Sequence, residues 1–295
     1  MLTPAQVEQY RYNGYLYPFP ALSADEVAEC NAGLTRYEKW VGQPINQSER
    51  RWRSGTYFIL PWVDKLARNP RILDVVEDLI GPDILVYTAT FFIKEANSPA
   101  YAAWHQDSTY FGLVPNDEHV TAWVALTDAG EEAGCMEVVS SRGEPRQLQH
   151  AALRLANSIN GGGQAIVEQF YEGGGEMMSL RAGEFSMHHT MCTHRSAPNR
   201  ANHRRVGLGI SYIPAHCRLN SPVRMCARLV RGRDTSGHFD LVPGPEEGEL
   251  HPAALARHER VYRAYSDNYA VQVEAHDAAF IGQRPAAAAP APITP

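Results

Sequence analysis

Trp104-His105-Gln106-Asp107 is the stretch on which the reading of this chain turns. In an extended segment residues i and i+2 point to one face, so His105 and Asp107 can offer an imidazole and a carboxylate to the same point. Far downstream, His194 supplies a third donor from a separate strand, and Arg205 follows it. Two histidines and one carboxylate leave the opposite face of an octahedral metal open, the arrangement that suits a non-heme Fe(II) oxygenase. A bare His-x-Asp is a weak signal, because two polar residues on the solvent face of a strand spell the same pattern. The weight therefore lies in the ordered set.

The surroundings read as strand. Ile84 to Lys94 is β-branched and aromatic, Val120 to Leu126 alternates as a two-faced strand, and strands resume at Glu184 to His189 and Arg204 to Ile213. The first hundred residues read mainly helical. Thr3 caps ahead of Pro4, Ser23 precedes Asp25 and Glu26, and Ile72, Leu73, Val76 and Leu79 recur at helical spacing from Pro70 until Gly81-Pro82. Gln149 to Gly175, bracketed by two glycine triplets, reads as an insertion between strands. Pro222 to Tyr265 is polar and loop-rich, with a closing helix from around Ala253. After Arg284 the chain becomes an Ala/Pro tail with too little apolar surface to order itself.

Composition narrows the classes. With 295 residues and 44% hydrophobic content the chain can bury a core, and a formal charge of −6 with no basic stripe argues against a nucleic-acid partner. Five cysteines without a CxxC pair and an N-terminus without a basic or apolar leader fit a reduced, cytoplasmic protein. No apolar run reaches the roughly 18 residues needed to span a bilayer, so a small molecule is the expected partner.

The set His105-Gln106-Asp107, Thr121-Ala122-Trp123, Gly134-Cys135-Met136, Thr193-His194-Arg195-Ser196-Ala197-Pro198-Asn199-Arg200 and Arg204-Arg205 resembles the phytanoyl-CoA dioxygenase family of 2-oxoglutarate oxygenases. Leu2-Thr3-Pro4 through Gly14-Tyr15 and Leu22-Ser23 resembles that family's helical lead-in, so the likeness runs from about residue 2 to Pro214. It implies a mainly β fold with flanking helices, a double-stranded β-helix of the jelly-roll, cupin-like kind. It also implies one domain over residues 1–284: a lead-in to about 82, a core over about 83–214 and a C-terminal loop and helix segment over about 215–284, with 285–295 a disordered tail. The implied cofactors are Fe(II), 2-oxoglutarate as co-substrate, and O2. By the same resemblance His105, Asp107 and His194 are the catalytic iron ligands and Arg205 binds the distal carboxylate of 2-oxoglutarate. Thr90, Trp123 and Ser196 fall where related enzymes also touch the co-substrate. Tyr110 and Phe111, close behind the metal pair, are the candidates for substrate contact.

The residues support this independently. Arg205, Gly207, Gly209 and Ser211 share one face of a strand, which sets a planar, carboxylate-matching guanidinium beside a slot that we expect the co-substrate to fill. His188 and His189 point to opposite faces, so one of them should lie near the site. Arg195, Arg200 and Arg204 read as a solvated turn, Cys135 and Cys192 as buried strand residues, and His238 as part of a surface loop. The expected reaction is hydroxylation of an unactivated C–H bond of a small metabolite, of the specialised-metabolism or compatible-solute type, with release of succinate and CO2. Desaturation and ring closure use the same triad. Halogenation is disfavoured by Asp107, since related halogenases carry Ala or Gly there. A non-catalytic, cupin-like binding protein would need no Arg205 and Ser196.

Overall fold

Local signals set the first elements. Thr3 caps α1 (Pro4–Asn13) and Ser23 caps α2 (Ala24–Val41), each through a reciprocal capping box with Gln6 or Glu26. The structure, a computed structural model, describes residues 1–153, 155–160, 164–170 and 175–279. The tail expected over 285–295 and most of both glycine triplets lie outside the described residues.

The lead-in is less helical than its sequence suggests. Between α1 and α2 lies β1 (Tyr15–Pro20), which buries Tyr15 and Leu16 while Pro18 and Pro20 face solvent. It forms an edge strand, where a proline without an N–H breaks no ladder. The helices α3 (Pro61–Ala67) and α4 (Pro70–Ile80) follow, α4 capped by Asn69. Then come β2 (Ile84–Lys94), β3 (Ala102–His105), β4 (Leu113–Val114), β5 (Val120–Ala125), β6 (Met136–Val139), β7 (His150–Ala152), β8 (Gln164–Ile166) and β9 (Glu176–Met178). The chain continues through β10 (Glu184–His189), β11 (Thr193–Ser196), β12 (Arg205–Pro214), β13 (Arg218–Leu219), β14 (Cys226–Arg231), β15 (Asp240–Leu241) and α5 (Pro252–Ala279).

Two sheets make the β-helix. The larger runs β1-β10-β5-β12-β2-β14-β15 and the smaller β3-β11-β6-β9, with β7-β8 and β13-β4 as separate pairs. Every pairing is antiparallel except β14 with β15. The outer face of the large sheet meets the helices: Ile72 and Val76 of α4 pack in one cluster with Ala89 and Phe91 of β2 and Leu208 and Ile210 of β12. That explains why β5 and β12 are buried along their whole length. The inner face looks toward the small sheet and lines a cavity.

One boundary differs from the sequence reading. The sheet does not end near residue 214, because β14 pairs with β2 and extends it. Within the segment expected as an insertion between strands, Gln149 to Gly175, β7 and β8 pair, and Asn160 donates to Ala103 O on β3 at 3.2 Å. No helix among the described residues is long and apolar enough to cross a membrane.

Candidate active site

The cavity between the sheets holds the expected cluster. His105 and His194 face each other across the β3–β11 ladder, and their Nε2 atoms and an Asp107 carboxylate oxygen lie within 4.8 Å of one another. Asp107 is not itself on a strand. β3 ends at His105, Gln106 stays extended, and Asp107 opens a 3-10 turn, so the i, i+2 relation survives for one step and the chain then turns away. Tyr110 and Phe111, at the end of that turn, both line the cavity, and Phe111 also packs on Tyr87.

Each donor is oriented by a partner. Nδ1 of His105 donates to Ala103 O at 2.8 Å and Nδ1 of His194 to Cys192 O at 2.9 Å. A carbonyl can only accept, so both Nε2 lone pairs are turned into the cluster, as a metal requires. Burial pushes both imidazoles down in pKa, His194 furthest because His105 lies beside it, so they are neutral at ordinary pH. Asp107 receives hydrogen bonds at its Oδ2 from Thr121 at 2.9 Å and His188 at 3.1 Å. Burial opposes its ionisation, yet the His188 bond and the surrounding imidazoles hold it well below the usual carboxylate range. Two neutral imidazoles and an ionised carboxylate form a donor set that fits Fe(II).

The sequence reading placed one ring of the His188-His189 pair near the site: it is His188, while His189 turns away to Asp117 O. Other supporting residues were not singled out from sequence. Gln106, between the two donors, is clamped: its N–H donates to His150 Nε2 at 3.0 Å and its side chain to Arg146 O and Met191 O at 2.8 and 2.7 Å. Its lone signal was its place between two candidate ligands.

Arg205 is 3% exposed and its Nη1 donates to Gly134 O at 2.5 Å, while Nε has no partner. Its guanidinium sits 5.2 Å from the centre of the Trp123 ring. The paired residue across the ladder is Lys94, fully buried, whose Nζ donates to Ser196 Oγ at 2.7 Å and to the carbonyls of Gly134 and Ala197. Burial first and Arg205 second push the lysine down to about 6, and burial pushes Arg205 down to about 10. The lysine is therefore largely neutral near pH 7 while Arg205 keeps its charge, and with no carboxylate partner for Arg205 among the described residues this corner is short of one anion. Thr90 lines the same cavity, with Oγ1 3.2 Å from Ser54 Oγ.

Three expectations are corrected. The space above Gly207 is not a co-substrate slot: a Cβ there would lie 1.9 Å from Trp123 Cζ2, so the glycine admits the indole that supports Arg205. Arg195 and Arg204 are not a solvated turn. Arg195 lines the cavity, pairs with Glu137 at 2.7 Å and covers Trp104, and Arg204 binds Glu38 and Glu95. Cys135 and Cys192 are buried but each lies just before its strand. The expected loop placement of His238 holds; it is exposed and outside the cavity.

The opposite wall went unread in the sequence. Tyr262, Tyr265, Ser266 and Tyr269 share one face of α5, and Arg50 and Arg53 come from the 3-10 turn Arg50–Arg53. Side-chain latches seat the helix there: His258 Nε2 on Ser54 O at 2.7 Å, Asn268 on Phe111 O at 2.9 Å and Gln272 on Asn220 O at 3.0 Å.

Comparison with known proteins agrees with this geometry. The family model for phytanoyl-CoA dioxygenase matches residues 10–207. The chain is 24% identical over 227 residues, 71% of its length and 78% of the relative's, to a probable alpha-ketoglutarate-dependent hypophosphite dioxygenase of Stutzerimonas stutzeri. It is 21% identical over 263 residues, 82% of its length and 88% of the relative's, to an ectoine dioxygenase of Streptomyces avermitilis. Among solved structures it is similar to a non-heme monooxygenase, ThoJ, in apo form, with a TM-score of 0.79 and 30% identity over 91% of this chain and 99% of that one.

Proposed function

The chain belongs to the phytanoyl-CoA dioxygenase family of Fe(II)- and 2-oxoglutarate-dependent oxygenases, and from that premise we propose that it hydroxylates an unactivated C–H bond of a small organic metabolite, releasing succinate and CO2. One observation carries this reading. Three metal-type donors and a buried guanidinium without an acid partner among the described residues, Arg205, line one cavity. Metal storage alone needs no such anion corner.

In this reading His105, Asp107 and His194 hold Fe(II), which with 2-oxoglutarate and O2 supplies the oxidising chemistry. The protein's residues do the positioning. Arg205 pairs with the distal carboxylate of the co-substrate, Trp123 holds the guanidinium in place, and Ser196 and Thr90 offer hydroxyls. Lys94 fixes the Ser196 hydroxyl from behind. His188 and Thr121 keep Asp107 ionised and aimed. Tyr110 and Phe111 lie along the path a substrate takes to the metal. With iron bound, Asp107 would fill a ligand position that a halide needs, which favours hydroxyl over halide as the group delivered.

The lead-in, the core and α5 all contribute to the one cavity, which supports reading residues 1–284 as a single catalytic domain. The five free, buried thiols support a reducing, cytoplasmic setting. Two relatives bear the names of hypophosphite and ectoine, both small molecules, which favours a substrate of the specialised-metabolism or compatible-solute type.

The test is a metabolite-library screen for substrate-stimulated succinate release with Fe(II), oxygen and 2-oxoglutarate present. Product formed under isotopically labelled dioxygen should carry one labelled oxygen atom. Loss of two hydrogens without label would reassign the enzyme as a desaturase or cyclase, and a chlorinated product would overturn the role given to Asp107.

A further inference from the structure

The arginines that are not exposed differ in whether an acid faces them. Arg51, Arg195, Arg204, Arg228, Arg231 and Arg257 each hold a carboxylate partner. Arg205 and Arg53 hold none among the described residues, and both line the same cavity. A largely buried guanidinium without an acid is costly, so its retention calls for an anion that arrives with a ligand. For Arg205 that anion is the co-substrate. Arg53 stands at a different wall, and 2-oxoglutarate has no third carboxylate for it.

The surroundings of Arg53 fit an anion-binding subsite. Among the described residues its one protein hydrogen bond is a long one, Nη2 to Ile159 O at 3.4 Å, which leaves most of its donors without a partner there. Arg50, exposed and also lining the cavity, adds a second positive charge nearby. Burial, then Arg50, pushes Arg53 down to about 10, and Tyr262 and Tyr265 are the groups that act against this. The backbone beneath is fixed, because Ser54 O accepts from His258 of α5 and Ser54 pairs with Thr90 of β2. Across the whole lining Asp107 is the sole carboxylate among the described residues.

We propose that the substrate carries an oxyanion, a carboxylate or phosphate group, seated on Arg53 with Arg50 beside it, and an apolar or aromatic body against Tyr262, Tyr265 and Tyr269. This rests on the reading of the cavity as the oxygenase active site. The planar fork of Arg53 suits either oxyanion bidentately, and the tyrosine faces supply flat, apolar contact.

The test uses protein loaded anaerobically with Fe(II) and saturating 2-oxoglutarate, so that the Arg205 corner is already filled. Calorimetric titration compares 3-phenylpropionate and phenyl phosphate with neutral 3-phenylpropionamide. At least one of the two anions should bind tenfold or more tightly than the amide, and the tighter one distinguishes carboxylate from phosphate. Arg53→Met should remove that preference, Arg53→Lys should retain part of it, and amide binding should stay the same in both. Equal affinity of anion and amide in the unaltered protein overturns the proposal, as does failure of both anions to bind, or an undiminished preference in Arg53→Met. The comparison in unaltered protein decides the matter even where a variant does not fold. Separate titration of 2-oxoglutarate keeps the two readings apart: its failure to bind would sink the oxygenase assignment, and its unchanged affinity in Arg53→Met beside a lost anion preference would concern Arg53 alone.

Discussion

The two ends of the cavity are built in different ways. At the metal end His105, His194, Arg205 and Lys94 stand on or at the ends of paired strands, and backbone carbonyls orient their polar atoms. At the other end three tyrosines and two arginines come from a helix and a 3-10 turn some 200 residues apart in sequence, joined by side-chain latches such as Arg51 to Glu259 at 2.9 Å. A ladder fixes a donor to a fraction of an ångström, whereas a latched helix tolerates replacement of the residues it presents. On the proposed reading, chemistry belongs to the first end and selection of the substrate to the second. That division can be broken experimentally.

The largest effect should come from the metal end. His194→Ala and His105→Ala should each abolish Fe(II) retention and succinate formation, because two remaining ligands hold a labile ion poorly. Anaerobic calorimetry measures the iron affinity. Unchanged affinity in His194→Ala with loss in His188→Ala would mean that His188 is the ligand and His194 its support. Next is Arg205→Ala, which should weaken 2-oxoglutarate by roughly 2–5 kcal/mol, more than tenfold in apparent affinity, through loss of a buried charge-assisted bidentate contact. Its neighbour Arg204 ties α2 to the strand end through Glu38, so Arg204→Ala should cost about 1 kcal/mol of stability and leave 2-oxoglutarate affinity alone. The reverse pattern would shift the register of β12 by one.

Legibility followed the same division. His105, Asp107, His194 and Arg205 could be read because their spacing repeats the geometry of a strand and the order of a family motif. The α5 wall could not: Tyr262, Tyr265 and Tyr269 at helical spacing spell an ordinary buried face, and only tertiary packing turns that face toward a cavity. Lys94 closes a strand and gives no sign of the arginine opposite it. β1 was hidden because Pro18 and Pro20 argue against a strand until its edge position is known. Gly207 was legible as a required gap, but what fills the gap lies on another strand. Gly207→Ala tests that correction. The new methyl must displace the Trp123 ring, so melting should reveal a loss of about 1–3 kcal/mol, and the 2-oxoglutarate requirement should rise with it. A neutral result in both measurements would restore the empty slot inferred from sequence.

The smallest expected effect is graded with pH and concerns His150, which braces the metal end from behind. Its Nδ1 donates to Leu148 O at 2.8 Å and its Nε2 accepts the Gln106 N–H at 3.0 Å, so the native bond requires a neutral ring. Burial is the main cause that pushes this imidazole down to about 3, against an ordinary histidine value near 6.5. The sign follows from proton counting. Between those two values the unfolded chain binds a proton that the folded chain refuses, so the contribution of His150 is complete above about 6.5 and falls as pH drops toward 3. The slope is about 1.4 kcal/mol per pH unit for one such group. Melting of the metal-free protein from neutral pH to about 4.5 should therefore decline less steeply in His150→Gln, whose amide oxygen can accept the same N–H without titrating. Parallel slopes in the two proteins would mean that Gln106 is held by its side-chain bonds alone, and that the rigidity of the metal end does not depend on His150.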